Sequence, residues 1–228
     1  MVGNILIKRA LAAVIYACAM LFAIYIAVTM LNRSIMISAS GLVICVAGFC
    51  IPIAVATLIW VSSIQKSENR FVIMKASLIA ILIFYAILLL YVLFYSSHRR
   101  FPGIRIEEYH RQNVNFIPLV TISRYIQAFF NHSMNKPIIL ENLVGNLFLF
   151  SPMGILLPCI FQKLRHFGKL LLVMSILLVG VETAQYLTYT GSCDIDDIIL
   201  NLAGVVFFFA LWSIQPFQHL LRKIYVLK

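Results

Sequence analysis

Apolar residues run through this chain in long blocks, broken at intervals by short polar or basic stretches. The first block, Leu11–Leu31, follows Lys8 and Arg9 and is too long for the core of a signal peptide. About 20 apolar residues are enough to cross the bilayer hydrocarbon as a helix, so the block predicts a first span. Met36–Ile64 predicts a second, with Pro52 inside it, and Ala76–Tyr95 a third, after a polar loop at Gln65–Lys75. A membrane helix tolerates proline where neighbours satisfy the freed backbone groups. Ile138–Phe161, Leu170–Thr190 and Asp194–Ile214 predict three more. The fourth span follows Pro137, a residue suited to a first helical turn, and is interrupted by Pro152 and Gly154. Between the third and fourth spans, Ile122, Tyr125, Ile126, Phe129 and Phe130 recur at i, i+3, i+4, i+7 and i+8. That is the spacing of one helix face, and Arg124 and Gln127 fall off it. The expected element is a short amphipathic helix lying in the membrane interface.

The fold class expected is all-α, a polytopic membrane helix bundle of about six transmembrane helices plus the short interfacial helix. A three-span region covers 1–97, and 98–214 carries a basic segment and three further spans. Residues 215–228 form a tail.

Composition narrows this further. The 228 residues are 62% hydrophobic and 11% charged, where a soluble domain has about a quarter charged residues. A water-soluble enzyme with a large core is excluded. The cysteines, Cys18, Cys45, Cys50, Cys159 and Cys193, include no CxxC pair, and only Cys193 is expected near water. Neither a disulfide framework nor a zinc site is implied.

Charge suggests an orientation. Six spans place both termini on one side. That side holds Lys8, Arg9, Lys66, Arg70, Lys75, Lys163, Arg165, Lys169, Arg222, Lys223 and Lys228 against the single acid Glu68. Positive residues in short loops favour the cytoplasm, so both termini are expected there. The opposite side receives Arg99, Arg100, Arg105, Arg111 and Arg124, a basic stretch suited to meeting an anion.

Polar residues inside the later spans are the candidate chemistry. Asn142 and Asn146 lie in the fourth span, Glu182 and Gln185 in the fifth, and Asp194, Asp196, Asp197 and Asn201 open the sixth. Such residues are costly to insert and face the bundle interior, so a functional site is the default hypothesis. With the spans alternating in direction, all of them converge near the outer leaflet. At helical spacing, Asn142 with Asn146, Glu182 with Gln185 and Tyr189, and Asp194 with Asp197 and Asn201 each share a face. Plainer readings stand beside this one. Asp194 to Asp197 can cap a helix start. The asparagines can hold helices together. The arginines can touch anionic headgroups.

Four pieces in order resemble the VanZ-like family of bacterial membrane proteins. They are Asn115-Phe-Ile-Pro118, then Asn142-Leu-Val-Gly145-Asn146 leading to Phe150-Ser-Pro152-Met-Gly154, then Glu182-Thr-Ala-Gln185, and last Asp194-Ile-Asp196-Asp197 running to Asn201-Leu-Ala-Gly204. The resemblance covers residues 98 to 214. It implies a protein of the bacterial plasma membrane and a part in resistance to glycopeptide antibiotics of the teicoplanin type. It supplies no mechanism.

Three functions fit these residues. The first is binding or transport of an amphipathic anion, such as a lipid-linked cell-wall precursor or a lipoglycopeptide. Arg99, Arg100, Arg105, Arg111 and Arg124 would meet phosphate or carboxylate. Asn115, Asn142, Asn146, Glu182, Gln185, Asp194, Asp196, Asp197 and Asn201 would take the remainder. The second is an intramembrane enzyme on a lipid-linked phosphate or sugar. Glu182 would be its acid or base, and Asp194, Asp196 and Asp197 would hold a divalent cation through oxygen. No GxSxG, HExxH or P-loop supports it. The third is a scaffold for other envelope proteins. Membrane lipids are expected partners, nucleic acid is not, and no cofactor is identified beyond the divalent cation the acids could hold.

Overall fold

The computed structural model describes residues 2–32, 39–95 and 113–227. Among these, six helices are long and apolar enough to cross a membrane, as the block pattern predicts. Helix α1 is Val2–Leu31, α2 Ala39–Ser62 and α3 Ser67–Phe94. A two-residue strand β1 (Val114–Asn115) precedes the amphipathic helix α4 (Val120–Phe130). Helix α5 spans Lys136–Ile160, and α6 is Phe167–Leu187. Strand β2 (Cys193–Asp194) leads into α7 (Ile195–Ser213), and α8 (Gln215–Lys223) follows. The architecture is an all-α polytopic membrane bundle, and among the described residues it includes a parallel strand pair that the sequence pattern did not announce.

Packing divides the chain into two units, Met1–Leu89 with Ile214–Lys228, and Leu90–Ser213. In the first unit α1 lies along α2. Gly48 permits the approach, since a Cβ there would meet the Phe22 ring at 2.7 Å. Thr57 Oγ1 lies 2.8 Å from the Tyr16 hydroxyl and 2.7 Å from that of Ser77, joining three helices by hydroxyls in an apolar setting. Phe49 and Phe84 stack with centroids 4.0 Å apart. Leu21, Val43, Ile51 and Val72 turn outward and are exposed, as lipid-facing positions must be.

Helix α3 begins at Ser67 rather than Ala76, so the polar stretch expected as a loop is largely helical. Glu68 sits in its first turn, where a negative charge suits the helix dipole. Arg70 reaches back to the Ile64 carbonyl through Nε at 2.7 Å and lies 4.8 Å below the Tyr225 ring centroid. Helix α8 also exceeds expectation, since most of the expected tail 215–228 is a nine-residue helix with Pro216 in its first turn.

In the second unit α7 packs against both α5 and α6. Gly154 and Gly204 make the α5–α7 contact possible. A Cβ on Gly204 would collide with the Leu147 carbonyl oxygen, and one on Gly154 with the Val205 carbonyl oxygen and, at 2.8 Å, with Phe209 N. On α6, Leu170, Met174 and Leu178 form a buried stripe at i, i+4, i+8, and Glu182 is its next member. That register carries Glu182 into the interior. Helix α5 is broken twice. Glu141–Gly145 adopts a wider π-helical turn, and the helix restarts at Met153 after Pro152.

Candidate functional site

At one end of the second unit, groups from β1, α4, α6, β2 and α7 meet in one hydrogen-bonded network, while Asn146 of α5 reaches Asp197 at the next residue of α7. It begins with the strand pair. Val114 aligns with Cys193 and Asn115 with Asp194, and Cys193 N–H donates to the Asn113 carbonyl at 2.9 Å. Asn115 Nδ2 then donates to Asp194 Oδ1 at 3.0 Å and to Thr121 Oγ1 at 3.1 Å. Thr121 Oγ1 donates to Asp194 Oδ2 at 2.6 Å.

Asp194 is also the N-cap of its own helix. Its Oδ1 accepts the Asp196 N–H at 2.9 Å, two residues on, which is the ordinary geometry of an aspartate cap. Its own N–H faces Glu182 Oε2 at 3.4 Å. Glu182 therefore touches the start of α7 from α6.

Asp196 does something different. It is fully buried, at 0% exposure. Its Oδ1 accepts Leu119 N–H at 2.5 Å, and its Oδ2 accepts Thr121 N–H at 2.7 Å and Ile122 N–H at 3.0 Å. These are donors at the exposed start of α4, where a helix leaves its first N–H groups without internal partners. The residue in the cap position is Leu119, which has no side-chain acceptor and adopts a left-handed φ of 69°. Asp196 supplies the missing cap from another helix, and its charge suits the positive end of α4.

Asn146 Nδ2 donates to Asp197 Oδ1, joining α5 to α7. Asn201 Nδ2 donates to the Asp197 carbonyl at 2.8 Å, while its Oδ1 is buried without a partner among the described residues. Gln185 is buried, donates to the Leu93 carbonyl at 3.2 Å, and stands against Gly191. Burial, and after it the carboxylates of Glu182 and Asp194, hold the Cys193 thiol above its ordinary range.

The structure thus brings Asn115, Glu182, Asp194 and Asp196 into one network and pairs Asn146 with Asp197 at the next position of α7. Asn142 behaves differently. It is half-buried and donates back to the Ile138 carbonyl at 2.8 Å. The π turn between Asn142 and Asn146 breaks the 3.6-residue register that would have aligned them. Tyr189 leaves the Glu182–Gln185 face, because α6 ends at Leu187 and Tyr189 takes a left-handed φ of 56°. Arg124 is exposed on α4. Arg99, Arg100, Arg105 and Arg111 lie outside the described residues.

Thr121 is a member that sequence reasoning missed. Its signal was present as an absence: α4 opens with no Ser, Thr, Asp or Asn in the cap position, so its donors had to be met from elsewhere. The acids have a related lesson. A cation needs free carboxylate lone pairs, whereas Asp194 and Asp196 turn theirs to N–H and O–H donors. Among the described residues no three His, Cys, Asp or Glu side chains converge as a metal-ligand set.

A family model described as VanZ/LLP1 matches residues 82–216, which include the whole of this network. No curated protein and no solved structure matches the chain.

Proposed function

The chain belongs to the VanZ/LLP1 family of membrane proteins, and from that premise we propose that it handles an amphipathic anionic ligand at the outer leaflet of the bacterial plasma membrane. Through that ligand, a lipid-linked cell-wall precursor or a lipoglycopeptide, it contributes to glycopeptide resistance of the teicoplanin type. The observation that carries this reading is the gathering of buried Asn146, Glu182, Asp194 and Asp196 with half-buried Asn115 and Asp197 at one end of the Leu90–Ser213 unit. Asp194 and Asp196 organise that end, and in this reading Asn146, Glu182 and Asp197 are the groups that meet the polar part of the ligand.

Charge supports the rest. Arg99, Arg100, Arg105 and Arg111 immediately precede β1 in sequence, and Arg124 is exposed on α4. Guanidinium groups pair with phosphate or carboxylate bidentately. Short-loop lysines and arginines put both termini in the cytoplasm, and the network then faces outward. The enzymatic reading keeps Glu182 as acid or base but is less favoured, because Asp194 and Asp196 spend their oxygens on hydrogen-bond donors rather than a divalent cation.

Expression in a teicoplanin-susceptible Gram-positive host tests the proposal. The wild-type chain is expected to raise the inhibitory concentration several-fold, and Glu182→Gln to abolish the increase at equal membrane abundance. Full tolerance in Glu182→Gln and Asp197→Asn variants would refute the ligand-handling reading and leave a scaffold. Chelator-sensitive release of product from labelled lipid precursor would favour the enzyme instead.

A further inference from the structure

Phe116, Ile117, Pro118 and Leu119 are four successive apolar residues, and all are exposed. Phe116 reaches 71%, Ile117 67% and Leu119 58%. Nothing about this run is slack. It is tied behind by the β1–β2 pair and ahead by the Asp196 cap. Two of its three N–H donors are met by side chains, and the fourth residue is proline. Ile117 N–H donates to Asn115 Oδ1 at 3.1 Å, Leu119 N–H to Asp196 Oδ1 at 2.5 Å, and Pro118 has no N–H to satisfy. Backbone enters the apolar edge of a bilayer at less cost the more of its polar groups are paired. This loop presents hydrocarbon outward and settles those N–H groups inward.

The neighbouring surface continues the pattern. On α4, Ile126, Phe129 and Phe130 are exposed, and Phe130 reaches 73%. Ile138 and Leu140, at the start of the α5 span, are exposed in turn. Lys136 Nζ lies 5.6 Å above the Phe129 ring, so a cation stands where this surface meets the span. A long amine stem with its charge at headgroup level is how lysine behaves at a bilayer boundary.

We infer that Phe116–Leu119 is a membrane-inserting tip, which enters the headgroup–acyl boundary of the adjoining leaflet beside α4. Its partner is bilayer lipid. Exposed apolar residues recur on α4 and at the start of a spanning helix, and the cation borders them where phosphates would lie. The buried Asp194 and Asp196 are the positioning residues that hold the tip in place, acting through Asn115, Thr121 and the α4 amides.

Phe116→Trp in the full chain, reconstituted in phosphatidylglycerol–phosphatidylcholine vesicles, tests this by its emission relative to the parent protein. Brominated acyl chains are expected to quench the added tryptophan severalfold more than aqueous acrylamide does. Quenching by acrylamide alone overturns the inference, because the tip is then in water. Protection from both quenchers also overturns it, because protein then covers the tip. With Asp196→Ala added, acrylamide quenching is expected to rise at least twofold. An unchanged profile in correctly folded protein removes the positioning role, while the single variant still decides insertion.

Discussion

Asp196 spends a buried negative charge on backbone amides that belong to a different helix. The sequence marked it as one of three clustered acids, and clustered acids suggest a cation. What distinguishes it is only its direction, which depends on where α4 starts. Each buried donor left unpaired costs about 1–3 kcal/mol. Asp196→Ala strips the acceptor from Leu119, Thr121 and Ile122 together, so a marked drop in melting temperature in detergent is expected. Asp196→Asn keeps one acceptor oxygen and should fall between alanine and wild type. Equal melting of Asp196→Ala and wild type would show that water replaces the cap at no cost. Glu182 was more legible. Its place at i+4 after Leu178, on the stripe of Leu170 and Met174, is a periodicity that the sequence itself contains.

Elements meet here through missing side chains as much as through present ones. Gly204 and Gly154 let α7 and α5 approach until backbone touches backbone, whereas a Cβ on Gly168 or Gly180 would meet nothing within 4 Å. Overpacking a close contact costs about 1–3 kcal/mol. Gly204→Ala and Gly154→Ala are therefore expected to lower resistance to denaturation by sodium dodecyl sulfate, and Gly168→Ala and Gly180→Ala to leave it unchanged. Uniform behaviour across the four would show that the α5–α7 crossing does not depend on those glycines. Of these four glycines, the sequence marks only Gly204 and Gly154, as parts of longer motifs. Their role at the crossing emerged when α5 and α7 were side by side. The π turn in α5 was hidden for the same reason, since Asn142 and Asn146 show an ordinary i, i+4 spacing.

The molecule as a whole is a multi-pass membrane protein, with six candidate spans among its described residues. An even number of crossings returns the chain to its starting side, and the proposed orientation puts that side in the cytoplasm because the short loops there are basic. A green fluorescent protein fused after Lys228 is expected to fluoresce. Alkaline phosphatase inserted between His132 and Ser133, beyond α4, is expected to be active. The reverse pair of results would invert the proposed orientation and place the Asn115–Asp196 network at the cytoplasmic face.

By itself the sequence determined that this chain crosses a membrane repeatedly, roughly where each span lies, and that an amphipathic helix interrupts them. Those properties follow from local hydropathy and period, which need no knowledge of neighbours. It also set out which polar residues are too costly to leave facing lipid. Tertiary structure alone decided what those residues hold. Asp194 caps its own helix, Asp196 caps α4, and Thr121 and Asn115 close the circuit between strands nearly eighty positions apart. A hydrogen bond is a property of distance and angle between two groups, and for residues far apart in the chain only the fold supplies both.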